Sequence, residues 1–146
     1  MHIEVFHPHP SPRPLALPLM LTRVPAGFPS PAEEHLDHVL DLNELIVRRP
    51  TSTFFVRVEG ESMRDAGIRP GDILVIDRAE DPRSGSVVLA ALDGDFTVKR
   101  FLKQDDQVML QPEHPDFPPI VLDEHRDFII WGVVTFVIRA LRPCSA

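Results

Sequence analysis

Ser62 and Lys99 are the two residues of this sequence whose chemistry could form a catalytic pair. Ser62 follows Gly60-Glu61 and lies between an apolar run and a turn-rich loop. A serine hydroxyl is a weak nucleophile unless a positioned base takes its proton. Lysine can be that base only when it is neutral, and burial among apolar groups lowers its pKa from about 10.4 towards that condition.

Lys99 lies inside residues 96–102, a β-branched and aromatic run that predicts a strand. Because side chains alternate along a strand, Lys99 would share a face with Thr97 and Phe101. Of the 15 basic residues, 13 are arginine, which stays charged, and the other lysine, Lys103, lies at the polar end of the run. One interpretation is that a lysine stands at position 99 because it can lose its charge and act as a base, which arginine cannot do. A side chain that extends from an ordinary strand into water is the other.

A Ser-His-Asp triad is a weaker interpretation of Ser62. The motif has the first glycine of G-x-S-x-G but lacks the second, and no alternation of strands and helices supports the sheet which that motif requires. His114 and His125 are the available bases, and both lie in polar, proline-rich sequence.

Metal binding also receives little support from the sequence. His7 and His9, like His35 and His38, have short spacing, but no third ligand follows either pair at a definable position. We expect these histidines to be solvated, and we expect neither a metal nor another cofactor.

The composition of the chain argues against several classes of protein. A chain of 146 residues with 43% hydrophobic and 25% charged residues predicts one globular domain, with room for an arm outside it. We expect no membrane span and no signal peptide. The single cysteine, Cys144, excludes an internal disulfide and suits a reducing cytoplasm. A net charge of −7 argues against nonspecific binding to duplex DNA.

Proline divides the chain into an arm and a domain. Residues 1–31 contain eight of the 16 prolines, which predicts an extended, flexible arm over residues 1–29 that cannot join helices or central strands. A disordered tail is an equally open interpretation. The domain, residues 30–146, would open with one or two short helices. One begins at Ser30, and one follows Asp41 and ends before Pro50.

After residue 50 the pattern predicts a mainly β fold. Asp93-Gly94 between two apolar runs predicts a tight hairpin. The long apolar run near the end, interrupted by Gly132, predicts strands covered on both faces. The predicted strands are residues 53–58, 73–76, 86–92, 96–102, 108–110, 128–131 and 133–138.

Several short motifs are specific in their combined order and spacing, although each is common alone. They are Gly60-Glu61-Ser62-Met63, Gly67-Ile68, Gly71-Asp72, Val75, Asp93-Gly94 and Thr97-Val98-Lys99. Together they resemble the catalytic domain of LexA/UmuD-type serine autopeptidases, over about residues 15–142. The resemblance is closest to the UmuD branch, the accessory subunits of the error-prone DNA polymerase V.

The resemblance implies a domain of twisted antiparallel sheets that forms a homodimer and cuts its own arm. Ser62 would be the nucleophile and Lys99 the general base, with the backbone N–H groups of Ser62 and Met63 holding the oxyanion. The family cuts between a small residue and glycine, which here is Ala26-Gly27. Cleavage would remove residues 1–26.

The resemblance further implies a role in the SOS response to DNA damage. Self-cleavage would be promoted by the RecA filament on single-stranded DNA, and the trimmed dimer would join a UmuC-type polymerase subunit for translesion synthesis in the cytoplasm. LexA-type repressors carry a DNA-binding domain before the cleavage site. Only 26 residues precede Gly27, so we expect no sequence-specific DNA binding. A signal-peptidase-like enzyme and a dimeric module with a vestigial Ser62 and Lys99 stay as alternatives.

Overall fold

The computed structural model of the protein describes residues 4–20, 26–27 and 37–142. These residues form ten strands, one α-helix (α1, Leu42–Ile46) and one 3-10 turn (Arg64–Ala66), so the predicted mainly β fold is confirmed. The strands are β1 (Glu4–Phe6), β2 (Ala16–Met20), β3 (Asp37–Asp41), β4 (Thr53–Arg57), β5 (Ile73–Asp77), β6 (Val87–Leu92), β7 (Asp95–Gln104), β8 (Gln107–Gln111), β9 (Ile120–Leu122) and β10 (Phe128–Ile138).

Eight of these strands form one sheet in the order β1-β4-β5-β10-β6-β7-β8-β9, and β2 pairs with β3 in a second, small sheet. All pairings are antiparallel. The predicted hairpin joins β6 to β7, and its two central residues, Asp93 and Gly94, have φ values of 50° and 89°. Positive φ at both positions is what a two-residue type I′ turn requires.

Strand β10 holds the sheet together because it pairs with β5 along one edge and with β6 along the other. The sequence predicts two strands divided at Gly132, but the structure has one continuous strand with irregular register at Ile130/Gly132 and Val134/Phe136. The middle of β10 is buried, whereas Ile129 and Val137 towards its two ends are 61% and 41% exposed. Coverage on both faces is therefore limited to the middle of the strand.

The paired strands β6 and β7 place Lys99 on an apolar face. Leu89 and Val98 lie opposite each other in one buried cluster, and Lys99 lies opposite Val88 on the other face of the sheet. Val88 belongs to a second buried cluster, which also contains Ala90, Phe101, Leu110, Leu122 and Val133. Alternation along β7 thus directs the Lys99 side chain towards this second cluster.

The arm is more structured than its proline content predicts. Its described part contributes β1 at an edge of the large sheet and β2 in the two-stranded sheet. Both are edge positions, which are the places in a sheet where a proline such as Pro18 is tolerated. The sequence identified neither strand, nor β3 and β9.

Helix α1 begins where the sequence places it. The Asp41 side chain accepts the Asn43 N–H at 2.9 Å, which caps the helix start. The helix ends at Ile46, before the predicted end at Pro50. The other predicted helix, beginning at Ser30, lies outside the described residues. Within the described ranges, no helix is long and apolar enough to cross a membrane.

Gly132 offers a test of this arrangement. A β-carbon there would lie 2.6 Å from Ile76 Cγ2 and 2.9 Å from the Asp77 carbonyl oxygen. We predict that Gly132→Ala lowers the free energy of unfolding by about 1–3 kcal/mol through overpacking, measured by urea denaturation.

Gly27→Ala is the matched control, because no atom lies within 4 Å of the β-carbon position at Gly27. Equal stabilities for the two variants would contradict the close approach of β10 to β5.

Candidate functional site

The loop between β4 and β5, residues 58–72, carries Ser62. Its two ends are joined by backbone hydrogen bonds, from Val58 N–H to the Asp72 carbonyl at 2.9 Å and from Gly71 N–H to the Val58 carbonyl at 2.8 Å. The loop is therefore closed at its base as a unit, and Ser62 projects from it with its side chain partly exposed.

Two apolar side chains anchor this loop in the protein core. Met63 and Ile68 are each 3% exposed and belong to the first buried cluster. The Met63 carbonyl accepts the N–H groups of Ala66 and Ile68 at 3.1 and 3.2 Å. Because Met63 directly follows Ser62, anchoring its side chain also restricts where Ser62 can lie.

The Lys99 amine meets Ser62 at the surface of the second cluster. Lys99 is 8% exposed, and its Nζ lies 2.7 Å from Ser62 Oγ, 2.7 Å from Thr97 Oγ1 and 3.1 Å from the Val98 carbonyl oxygen. A neutral amine has two N–H donors and one lone pair. If Thr97 and the Val98 carbonyl accept the two N–H groups, the lone pair faces Ser62 and can accept the serine proton.

Burial sets the charge of this amine. Removal from water lowers the pKa of Lys99 from 10.5 to about 8. At pH 7 about one molecule in ten then carries a neutral amine, against about one in three thousand for a lysine with its ordinary pKa. Among the described residues Lys99 forms no ion pair that would hold it in the charged state.

The backbone beside Ser62 has free donors. In the part of the chain that the structure describes, neither the Ser62 nor the Met63 N–H has an acceptor, whereas the next two N–H groups do. Arg64 donates to the Glu61 carbonyl at 3.0 Å, and Asp65 donates to the Glu113 carbonyl at 2.8 Å. The two groups expected to bind an oxyanion are thus available.

Ala26 and Gly27 form an exposed bend. The empty space around the Gly27 β-carbon position means that this peptide is not enclosed against the dyad. Ser62 and Lys99 are joined by a hydrogen bond, and among the described residues neither is joined by one to Ala26 or Gly27.

The alternative bases do not reach Ser62 by a hydrogen bond. His114 Nδ1 accepts the Asp116 N–H at 3.1 Å, and its ring meets the Phe117 ring edge-on. His125 is exposed. Of the histidines considered as metal ligands, His7 and His9 are exposed, His35 lies outside the described residues, and the His38 side chain is not described.

Thr97 is the residue whose role at the site the sequence did not identify. Its position two residues before Lys99 on one strand places both side chains on the same face, which was the available signal. The direct hydrogen bond to Nζ depends on side-chain rotamers, which that spacing alone does not determine.

Comparison with known proteins yields one family and several relatives. The Peptidase S24-like family model matches residues 18–135. Protein SamA of Salmonella typhimurium is 46% identical over 125 residues, covering 86% of each chain. Protein MucA of Escherichia coli is 41% identical over 136 residues, covering 92% of each chain. The LexA repressor of Bordetella parapertussis is 40% identical over 131 residues, which is 90% of this chain and 60% of the repressor.

The charge of Lys99 can be measured directly because the chain has only one other lysine. In the variant Lys103→Arg, we predict that the NMR signals of the Lys99 ε-methylene titrate with a midpoint near the lowered pKa of about 8, since burial disfavours the ammonium. A midpoint at the ordinary value of 10.5 would contradict the burial of this amine.

Stability provides a second readout of the same burial. Between pH 8 and pH 10.5 the unfolded chain holds more protons than the folded one, so the stability of the wild-type protein rises with pH in this window. Lys99→Met should be the more stable protein below pH 8, and its advantage should shrink as the pH rises. Lys103→Met, at an exposed position, is the control, and an equal trend in the two variants would contradict the burial of Lys99.

Proposed function

The chain belongs to the Peptidase S24-like family, and from this membership we propose that it cuts its own backbone between Ala26 and Gly27 with a Ser62–Lys99 dyad. The match confirms the resemblance to LexA/UmuD-type serine autopeptidases, so the chain is a serine peptidase of that type. The observation that carries the proposed dyad is the 2.7 Å contact between Ser62 Oγ and the buried Lys99 Nζ.

In the proposed reaction, neutral Lys99 accepts the proton of Ser62 as Oγ attacks the carbonyl carbon of Ala26. The N–H groups of Ser62 and Met63 bind the negative oxygen of the tetrahedral intermediate. Lys99, now an ammonium, donates its proton to the leaving amine of Gly27. Water then hydrolyses the ester on Ser62, with Lys99 again as the base.

Access of the arm is the step at which the reaction would be controlled. The bond between Ala26 and Gly27 is exposed, so it must move against Ser62 before it can be cut. Small side chains at both positions allow a close approach of the backbone to a partly buried nucleophile. We assign promotion of this movement to the RecA filament on single-stranded DNA.

Similarity to SamA, ImpA and MucA groups the chain with the UmuD-like proteins of SOS mutagenesis. The alignments with SamA and MucA include 86–92% of each relative's length, so the similarity extends beyond the dyad motifs. We propose that the trimmed protein, residues 27–146, acts as a homodimer in the cytoplasm and joins a UmuC-type polymerase subunit for translesion synthesis.

The competing functions differ in what they require of the site. A LexA-like or signal-peptidase-like enzyme would cut other proteins with the same dyad, so its substrate would be separate from its own arm. A non-catalytic dimeric module would have no use for a buried lysine beside a serine. The lowered pKa of Lys99 favours the catalytic interpretations.

Alkaline incubation tests self-cleavage, because raising the pH neutralises Lys99. We predict that the purified full chain yields two fragments above pH 8, and that the larger one begins at Gly27 by N-terminal sequencing. Ser62→Ala and Lys99→Ala should give no fragments. Fragments from both variants would rule out the dyad.

The route of cleavage and the partner require separate assays. Mixing full-length Ser62→Ala, as substrate, with an arm-deleted protein of residues 27–146 shows whether one molecule can cut another, because only the substrate then carries an arm. Faster cleavage after addition of RecA, single-stranded DNA and a nucleoside triphosphate would support the SOS role. Retention of the cleaved protein on an immobilised UmuC-type subunit would separate this role from that of a general peptidase.

Thr97→Val tests the orientation of the amine. Valine has nearly the same shape but removes the oxygen that lies 2.7 Å from Lys99 Nζ, so the lone pair is no longer directed at Ser62. We predict a loss of about tenfold or more in the self-cleavage rate constant at pH 9. Thr97→Ser retains the hydroxyl and should retain most of the rate. Equal rates for valine and threonine would exclude this role.

A further inference from the structure

Arg139, the first residue after β10, reaches back to the loop that carries Ser62. Its Nε lies 2.6 Å from Asp72 Oδ1, and its Nη2 lies 2.5 Å from Asp72 Oδ2 and 2.6 Å from the Gly67 carbonyl oxygen. One guanidinium thus bridges the base of the loop, at Asp72, and the residue that ends its 3-10 turn, Gly67. The guanidinium suits this arrangement because its donors are held in one rigid plane that matches the two oxygens of a carboxylate.

The register of the sheet fixes where this contact forms. Ile138 of β10 lies opposite Ile73 of β5, so the residue after Ile138 comes beside the residue before Ile73, which is Asp72. The contact is therefore an extension of the β5–β10 pairing, and it connects the C-terminal end of β10 to residues 58–72.

Asp72 is held in one position by bonds from two sides. Its side chain is 2% exposed, and besides Arg139 it accepts the Arg69 N–H at 2.8 Å. Burial opposes its charge, but these hydrogen bonds outweigh burial and lower the pKa of Asp72. Asp72 is thus an ionised, buried carboxylate whose position depends on its partners.

The other bonds that hold the loop differ in kind from this one. Met63 and Ile68 anchor it by packing, and the Glu113 carbonyl accepts one N–H. This packing restricts how far the loop can move towards or away from the core. Within the described residues, Arg139 is the one side chain from outside the loop that forms an ion pair with it, whereas Lys99 bonds only to the Ser62 hydroxyl. Arg139 opposes rotation of the 3-10 turn relative to the loop's base.

We infer that Arg139 is a positioning residue for the proposed self-cleavage, because it holds the loop through Asp72 and Gly67 so that Ser62 faces Lys99. The inference rests on the proposed function. Arg139 touches neither Ser62 nor the scissile bond. It acts through the loop, and its loss should reduce the rate of attack without changing the charge of the base.

The experiment measures the first-order rate constant of self-cleavage of the full chain from pH 6 to pH 11. For Arg139→Ala we expect the alkaline plateau to fall about tenfold or more. The midpoint of the profile should stay near that of the wild type, because the burial of Lys99 is unchanged. Arg139→Lys keeps the charge but lacks the planar fork that pairs with both Asp72 oxygens, and its plateau should be intermediate.

Arg49→Ala is the matched control. Arg49 Nη1 lies 2.7 Å from Oδ2 of the buried Asp77, four residues along β5 from Ile73, and has no bond to the loop. Both alanine variants should lose thermal stability, but only Arg139→Ala should lose plateau rate. Equal plateaus for these two variants would overturn the inference.

A double variant separates stability from position. In Arg139→Ala/Asp72→Asn the buried carboxylate is no longer left unpaired, so the melting temperature should rise above that of Arg139→Ala. The rate should stay low, because the bridge is still absent. Recovery of the rate together with stability would show a purely structural role and overturn the inference. No cleavage by the wild type and by Arg49→Ala would overturn the proposed self-cleavage and the inference with it.

Discussion

The removal of one amine from water is the interaction on which the candidate site depends. A lysine side chain in a solvated strand would stay charged at neutral pH and could not take a proton. The buried neighbours of Lys99, with Val88 directly opposite, provide no compensating carboxylate and so shift the balance towards the neutral amine. Burial of this amine therefore lowers the stability of the folded protein at neutral pH and at the same time provides the base. Activity and stability are coupled through this residue.

The sheet order explains how two residues 37 positions apart meet. Ser62 follows β4, and Lys99 lies on β7, with β5, β10 and β6 between these strands in the sheet. The distance is spanned by a loop that is closed at its base and anchored in the core by Met63 and Ile68. The site is thus built from non-local contacts, and the accuracy of its geometry depends on how the loop is held rather than on any single strand.

Sequence patterns predicted the parts of this fold that depend on local chemistry. Positive φ at Asp93-Gly94, the cap at Asp41 and the apolar strands of the core each follow from residue preferences over a few positions. Strand β1 depends instead on a distant edge of β4 that happens to be open, so its three residues carry no local signal. Gly132 likewise allows β10 to pass close to Ile76 of β5, which is a contact between residues far apart in the sequence. The contacts of Thr97 and Arg139 depend on side-chain rotamers and on strand register. Both are set by residues far away in the sequence, so local sequence patterns do not predict them.

The proposed cut would change how strongly the edge strand β1 stays associated with the sheet. While the chain is intact, Glu4–Phe6 pairs with β4, and Arg57 lies 3.3 Å from Glu4. The pairing is then an intramolecular association at high effective concentration. After a cut at Ala26-Gly27 the same three residues become part of a separate peptide, held by the β1–β4 and β2–β3 pairings, which dilution can break. Hydrolysis would convert a covalently tethered edge into a dissociable ligand, and the backbone groups of β4 would become available to another strand.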